Sequence, residues 1–241
     1  MIVDWQRSAA EGAVCYVESG MVVGLGSGST AAFAVRRIGQ LLRTGRLKGI
    51  VGIPTSLAVE ALARTQEIPL TTLEEHPHID LTIDGADEVD PALNLIKGRG
   101  GAMLHERIVA AASARTIIVV DEGKLVPVLG TRAPVPVEVV PFGWLPAMRA
   151  LEQLGARAER RMAEGIPVLT DEGNWIIDCR FTAIADPLDL AMAICTIPGV
   201  VAHGLFLGMA SMVIVGGRDG LRVLRPPLPE QGDKGKTGHG C

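Results

Sequence analysis

The sequence predicts an α/β fold: a parallel sheet covered by helices on both faces, joined to a smaller α+β unit. Three observations carry this. Short apolar, β-branched runs alternate with stretches of helical period from the N-terminus to Asp121. Two glycine-rich loops, Gly24-Leu-Gly-Ser-Gly-Ser-Thr30 and Lys97-Gly-Arg-Gly-Gly101, each stand between an apolar run and the start of a helical pattern. After Lys124 the texture changes, with proline punctuation at Thr131-Arg-Ala-Pro-Val-Pro136 and more closely spaced strand patterns.

In chain order, Asp4 opens an amphipathic helix that runs through Tyr16 and Val17 and stops near Ser19-Gly20. Met21-Val-Val23 is a short strand, and the first glycine loop leads into a helix from Ala31 to about Leu42. A strand at Ile50–Ile53, a helix at Leu57–Thr65, strands at Leu81–Asp84 and Leu93–Ile96, a helix at Ala102–Ala114 and a strand at Thr116–Asp121 continue the alternation. Strands this apolar suit a sheet buried on both faces. The second unit reads strand Val135–Val140, helix Trp144–Leu154, strands Arg157–Arg161, Ile166–Leu169 and Trp175–Cys179, helix Leu188–Thr196 and strand Val200–Phe206. The turn residues Thr170-Asp-Glu-Gly-Asn174 predict a hairpin. Met212–Val215 and Leu221–Leu224 return to the first sheet, and Pro226–Cys241 predicts a disordered tail. The domains expected are therefore 1–131 with 207–225, then 132–206, then the tail at 226–241.

Composition excludes several classes. At 48% apolar and 21% charged residues, the 241-residue chain is a globular protein rather than a disordered one. A net charge of −4, with no basic run longer than Arg36-Arg37 or Arg160-Arg161, predicts no nucleic-acid partner. No apolar stretch approaches the ~20 residues of a membrane span, and the N-terminus lacks a basic segment followed by an apolar one. A cytoplasmic location with no membrane partner is expected. Cys15, Cys179, Cys195 and Cys241 are scattered, without zinc-ligand or disulfide spacing, and the five histidines form no metal pattern.

The loop at Gly24-x-Gly26-x-Gly28 resembles a dinucleotide fingerprint, but Ser29 stands where that motif needs Gly or Ala. The strand that follows ends in Ile53-Pro-Thr-Ser56, without a carboxylate for a ribose. Hydroxyls at Ser27, Ser29 and Thr30 beside helix-start N–H groups suit a single phosphate instead, although a merely tight turn would also use these glycines. Asp84-Gly-Ala-Asp-Glu-Val-Asp90 begins where a parallel strand ends, and Gly85 lets the chain turn Asp87 toward the same space. Aspartates there are equally at home as turn formers; a calcium loop fits poorly because of Ala86. Lys97 opens the second glycine nest and could offset a developing oxyanion, or simply be an exposed lysine. Glu106, with Ala102, Val109 and Ala110 on its helix face, has the burial that raises a carboxylate toward a neutral-pH base; a first-turn glutamate complementing the dipole is the other reading. Lys124, just beyond the strand ending at Asp121, would face the same crevice.

Taken together, Gly-x-Gly-Ser-Gly-Ser-Thr30, Ile53-Pro-Thr-Ser56, Asp84-Gly-Ala-Asp-Glu88, Lys97-Gly-Arg-Gly-Gly-Ala102, Glu106 and Val135-Pro-Val-Glu-Val139 resemble type A ribose-5-phosphate isomerase, in order, across residues 1 to about 225. The resemblance implies a Rossmann-like parallel-sheet domain with a smaller ferredoxin-like α+β lid, and a homodimer or homotetramer. It implies cofactor-free interconversion of ribose 5-phosphate and ribulose 5-phosphate, with a pentose phosphate as the small-molecule partner. By position, Glu106 matches the base, and Asp84, Asp87 and Lys97 match residues that hold sugar hydroxyls, help open the ring and stabilise the enediolate. Ser27, Gly28, Ser29, Thr30 and Lys124 match the phosphate-binding group; Gly85, Ala86, Gly98, Arg99 and Gly100 complete the two substrate loops. Arg99 replaces a glycine often found there, and Ser27 stands where threonine is also common. A sugar-phosphate sensor on the same fold is the alternative, but such a protein should carry a basic DNA-binding domain, and none is present.

Overall fold

The computed structural model describes residues 1–226; the tail expected at 226–241 lies, beyond Pro226, outside the described residues. The elements run α1 (Ile2–Val14), β1 (Val22–Leu25), α2 (Ala31–Arg43), β2 (Val51–Pro54), α3 (Leu57–Thr65), β3 (Leu81–Gly85), β4 (Glu88–Val89), β5 (Leu95–Ile96), α4 (Met103–Ala111) and β6 (Thr116–Asp121). They continue β7 (Val135–Val139), α5 (Trp144–Gln153), β8 (Arg157–Arg160), β9 (Met162–Ala163), β10 (Ile166–Pro167), β11 (Trp175–Arg180), α6 (Pro187–Cys195), β12 (Val200–His203), β13 (Leu205–Phe206), β14 (Met212–Gly217) and β15 (Gly220–Leu224).

The main sheet has the order β15-β14-β6-β3-β1-β2, parallel throughout except for the β14–β15 hairpin. Residues of β6 and β14 are buried along their whole length, which is why their sequence is a continuous apolar run rather than an alternation. The chain moves outward from β1 to β2, then crosses back to place β3 on the other side of β1. That reversal leaves a crevice beyond the carboxyl ends of β1 and β3, the place where open α/β sheets bind ligands.

The second unit is an antiparallel sheet in the order β12-β7-β11-β8, with α5 and α6 in the connections. This βαββαβ order is the ferredoxin-like arrangement. Asp186 starts α6 by accepting N–H bonds from Leu188 and Asp189, both at 3.0 Å, with Pro187 in the first turn. Along β11, Ile177 packs with Val137, Leu151 and Ile194, whereas its neighbour Ile176 joins a cluster containing Met103, Ile118, Phe206 and Val213. Strand alternation thus gives one strand two cores, and the second of them ties this sheet to α4 and the main sheet.

Several expected boundaries move. Asp4 is inside the first turn of α1, paired with the Met1 ammonium at 3.0 Å, so it does not cap the helix. The expected strand Leu93–Ile96 begins only at Leu95, because Leu93 has φ +63. The strand expected at Ile166–Leu169 is reduced to a two-residue hairpin arm against β9, plus a single bridge from Leu169 to Trp175. Pro167 has no N–H to extend that ladder. The run Val200–Phe206 divides at Gly204: β12 joins the second sheet and β13 pairs with β5 in a three-stranded sheet, β13-β5-β4. At the division Gly204 donates to Pro136 O at 2.7 Å and accepts from Lys97 N–H at 2.8 Å; a Cβ there would lie 2.2 Å from Lys97 O. Lys97 is therefore held by a segment more than one hundred residues away in sequence.

Candidate active site

The first loop leaves β1 immediately beside β3. Gly26 donates to Ile83 O at 2.9 Å, and a Cβ on Gly26 would sit 2.4 Å from the Asp84 Cα and carboxylate. Glycine is required because the loop lies flat against that carboxylate. Gly26→Ala must displace either the loop or Asp84. The expected outcome is a large loss of turnover with folding retained, checked by steady-state kinetics alongside a circular-dichroism melt. Gly28 adopts φ +95, which turns the chain into α2. The N–H groups of Gly28, Ser29 and Thr30 have no protein acceptor among the described residues, so three donors remain open at a helix N-terminus. Ser27 differs from its neighbours: its N–H donates to Asp84 Oδ1 at 3.0 Å and its hydroxyl bonds the Thr55 and Ser56 hydroxyls at 2.8 and 3.0 Å. It braces the loop, while Ser29 and Thr30 present the available hydroxyls.

Three charged side chains converge behind this loop. Lys97 Nζ lies 3.1 Å from Asp84 Oδ2 and 3.3 Å from Glu106 Oε1, and it donates to Gly85 O. All three residues are almost completely buried, at 2% exposure for Asp84, 3% for Lys97 and 5% for Glu106. Asp84 accepts from Ser27 N–H, from Gly85 N–H at 2.7 Å and from Lys97. Among the described residues Glu106 has only Lys97, and its Oε2 is buried with no hydrogen-bond partner. Two carboxylates facing one ammonium leave an excess negative charge in a low-dielectric site. Burial lowers the affinity of Lys97 for its proton, but the Asp84 and Glu106 charges outweigh that and hold the ammonium above its ordinary pKa. Burial raises Asp84, against the pull of Lys97 and the Gly85 and Ser27 amides. Burial likewise raises Glu106, to about 8, with Asp84 adding to the rise and Lys97 opposing it. Since Asp84 has three donors and Glu106 one, a shared proton belongs on Glu106.

The remaining predicted residues gather around this trio. A cleft of about 400 Å³ is lined by Ser27, Gly28, Ser29, Thr30, Gly85, Ala86, Asp87, Lys97, Gly98, Arg99, Gly100, Glu106 and Lys124. Asp84 is absent from the lining and stands behind it, in contact with Lys97. Asp87 bridges the two loops, its Oδ2 accepting from Arg99 N–H at 3.0 Å while its own N–H donates to Ile96 O at 2.7 Å. A larger hollow, about 570 Å³, lies by α3 and α4 among Ile53, Leu70 and Ile108, and none of the predicted residues enters it.

Two contributors escaped the sequence reading. Gln6 also lines the cleft and donates from Nε2 to Asp121 Oδ2 at 2.9 Å; on an amphipathic helix nothing sets it apart from a surface residue. Arg161 donates to Gly98 O at 3.0 Å and Arg99 O at 2.9 Å while its guanidinium pairs with Asp178, so the second sheet holds the second glycine nest. Its only signal was an adjacent pair of arginines, read as evidence about nucleic acid.

The profile of the ribose 5-phosphate isomerase A (phosphoriboisomerase A) family matches residues 51–220. This chain belongs to that family. The ribose-5-phosphate isomerase A of Roseiflexus castenholzii is 55% identical over 224 residues, covering 92% of this chain and 96% of that protein. A solved D-ribose-5-phosphate isomerase in complex with phospho-erythronic acid superposes with a TM-score of 0.92 at 44% identity, covering 93% of this chain and 99% of that one. Ribose 5-phosphate isomerase from Plasmodium falciparum superposes at 0.90 with 40% identity, covering 94% and 100%. The α/β fold with its parallel sheet and second α+β unit is thus the isomerase A fold. No helix among the described residues is long and apolar enough to cross a membrane.

Proposed function

We propose that this protein interconverts D-ribose 5-phosphate and D-ribulose 5-phosphate through a cis-enediol, with Glu106 as the base. The observation that carries the reading is the buried Asp84–Lys97–Glu106 arrangement at the floor of a cleft whose other end offers unpaired helix-start N–H groups. In the aldose-to-ketose direction, ionised Glu106 removes the proton from C2, and electrons move onto the C1 oxygen. Lys97, held charged by Asp84, offsets that oxyanion; a proton passes from the C2 hydroxyl to the C1 oxygen, and Glu106 returns its proton to C1 as the C2 carbonyl forms. Asp87 and the second glycine nest hold the sugar hydroxyls; Ser29, Thr30, the open N–H groups and Lys124 hold the phosphate, whose binding energy positions the reacting carbons. Phospho-erythronic acid, found in the related structure, carries a phosphate and a carboxylate, and the carboxylate has the planar, anionic character of the enediolate.

Residues 1–131 with 207–225 form the catalytic domain in this reading, and 132–206 form a lid that also mediates a homodimer or homotetramer. The protein acts in the cytoplasm on a free pentose phosphate, without a cofactor. The orientation of Arg161 toward the second nest supports a lid role. The deciding experiment is conversion of ribose 5-phosphate to ribulose 5-phosphate by purified protein treated with a chelator. Turnover supports the reading; tight binding of the sugar phosphate without turnover moves it to a sensor.

The pH profile follows from the site. With the Glu106 pKa at about 8, the base is protonated at neutral pH and ionises as pH rises. Substrate phosphate is already mostly dianionic above its second pKa near ~6. Between these limits kcat/KM should rise with pH, approaching tenfold per unit well below the Glu106 pKa, then level off. A flat profile across neutral pH, measured by coupled assay, would remove Glu106 as the titrating base.

A further inference from the structure

A second hollow, about 450 Å³, adjoins the catalytic cleft and shares Asp87, Arg99 and Lys124 with it. Its far wall comes from the segment before β7 and from β11, and contributes Arg132 and Arg180, neither of which lines the catalytic cleft. Arg161 and Asp178 also line it, but they neutralise one another: Arg161 donates from Nη2 to Asp178 Oδ1 at 2.5 Å and from Nε to Oδ2 at 2.8 Å. Four cations, Arg99, Lys124, Arg132 and Arg180, are left facing the single carboxylate of Asp87, in a chain whose net charge is −4. A concave wall of one sign focuses its field on small ions of the other.

The wall is also built in advance. Buried Glu88 accepts the N–H groups of Gly130, at 2.7 Å, Arg132 and Ala133, fixing the backbone from which Arg132 projects. The Arg132 guanidinium donates to Gly123 O at 2.6 Å, which holds it beside Lys124 with donors to spare. Among the described residues the Arg99 and Arg180 guanidinium groups form no ion pair within 4.0 Å. Guanidinium groups with open forks match the phosphoryl group in charge and geometry.

We propose that this annex is a second anion site, which takes a phosphate or phosphomonoester dianion beside the substrate's own phosphate subsite. An anion there draws on Arg99 and Lys124, which the substrate also uses, so its occupancy opposes substrate binding. The inference does not depend on the isomerase reading, because binding is measured directly. Equilibrium dialysis with radiolabelled inorganic phosphate should give two equivalents per chain for the wild type and one for the Arg132→Ala/Arg180→Ala double variant, with turnover of ribose 5-phosphate in phosphate-free buffer unchanged. The Arg132→Lys/Arg180→Lys variant should keep the second equivalent at weaker affinity. If the double variant is poorly folded, Arg180→Glu alone, at an exposed side chain, should also remove it. One equivalent in the wild type, or two in every variant, overturns the proposal.

Discussion

Glu106→Gln lowers kcat by ~10² to 10⁴-fold, the usual share of a general base. Glutamine keeps the side-chain volume in a position that is 5% exposed, and its amide can still accept from Lys97 through Oε1, so the fold and the cleft survive. Dissociation constants for unreactive sugar phosphates should stay near the wild-type value, since the proposed phosphate subsite lies on the Ser27–Thr30 loop rather than on α4. The loss therefore falls on kcat and not on KM. Isothermal titration with phospho-erythronic acid, alongside steady-state kinetics, separates the two. Turnover near wild type would remove Glu106 from the mechanism, whereas loss of both binding and turnover would show that the substitution had damaged the cleft.

Lys97→Met should cost ~10² to 10³-fold in kcat, comparable with deletion of an oxyanion-stabilising donor. Two effects combine. The developing oxyanion loses its counter-charge, and Glu106 loses the ammonium that opposes the rise in its pKa, so it holds its proton to still higher pH. Residual activity should consequently increase with pH beyond the range where the wild type levels off. Stability also falls. Removing one partner from a buried pair typically costs ~3 to 5 kcal/mol, and proton uptake by Glu106 relieves part of this by removing a charge. Arginine is a poor substitute: its fork is larger than the ammonium that fits between Asp84, Glu106 and Gly85 O. A variant with wild-type kcat and an unshifted pH profile would show that Lys97 has only a structural role.

Local chemistry made much of this legible before any coordinates. Helix α3 and strand β6 have the bounds expected from their pattern, because each is delimited locally: Ser56 caps α3 by accepting Val59 N–H at 3.2 Å, and β6 is a β-branched run, Thr116–Val120, closed by Asp121. Helical periodicity places Glu106 among alanine and valine, which points to burial, but a first-turn glutamate complementing the dipole fits the same spacing, and only the fold, with Glu106 at 5% exposure, decides between them. Gly204 was not separable from the strand around it, since what divides Val200–Phe206 is the Lys97 carbonyl pressed against its α-carbon. Ser27 looked the same as Ser29, and only the positions of Thr55 and Ser56 show that its hydroxyl is already engaged.

By itself the sequence determined the residue types of the site and the order of its loops, as well as the α/β class, because turn chemistry and hydrophobic period act over a few residues. The tertiary structure decided the charge state. Asp84, Lys97 and Glu106 occupy three separate segments, and the distances of 3.1 and 3.3 Å from Lys97 to the two carboxylates depend on sheet crossover, on the contact of Gly26 with Asp84 and on the bond that Lys97 N–H donates to Gly204 O. Desolvation and Coulomb coupling are properties of that assembled space, so a carboxylate raised to about 8 cannot be read from the identity of Glu106 or its neighbours in sequence. The same holds for the four cations of the annex, which come from four separate segments and acquire a common field only when the second sheet closes against the first.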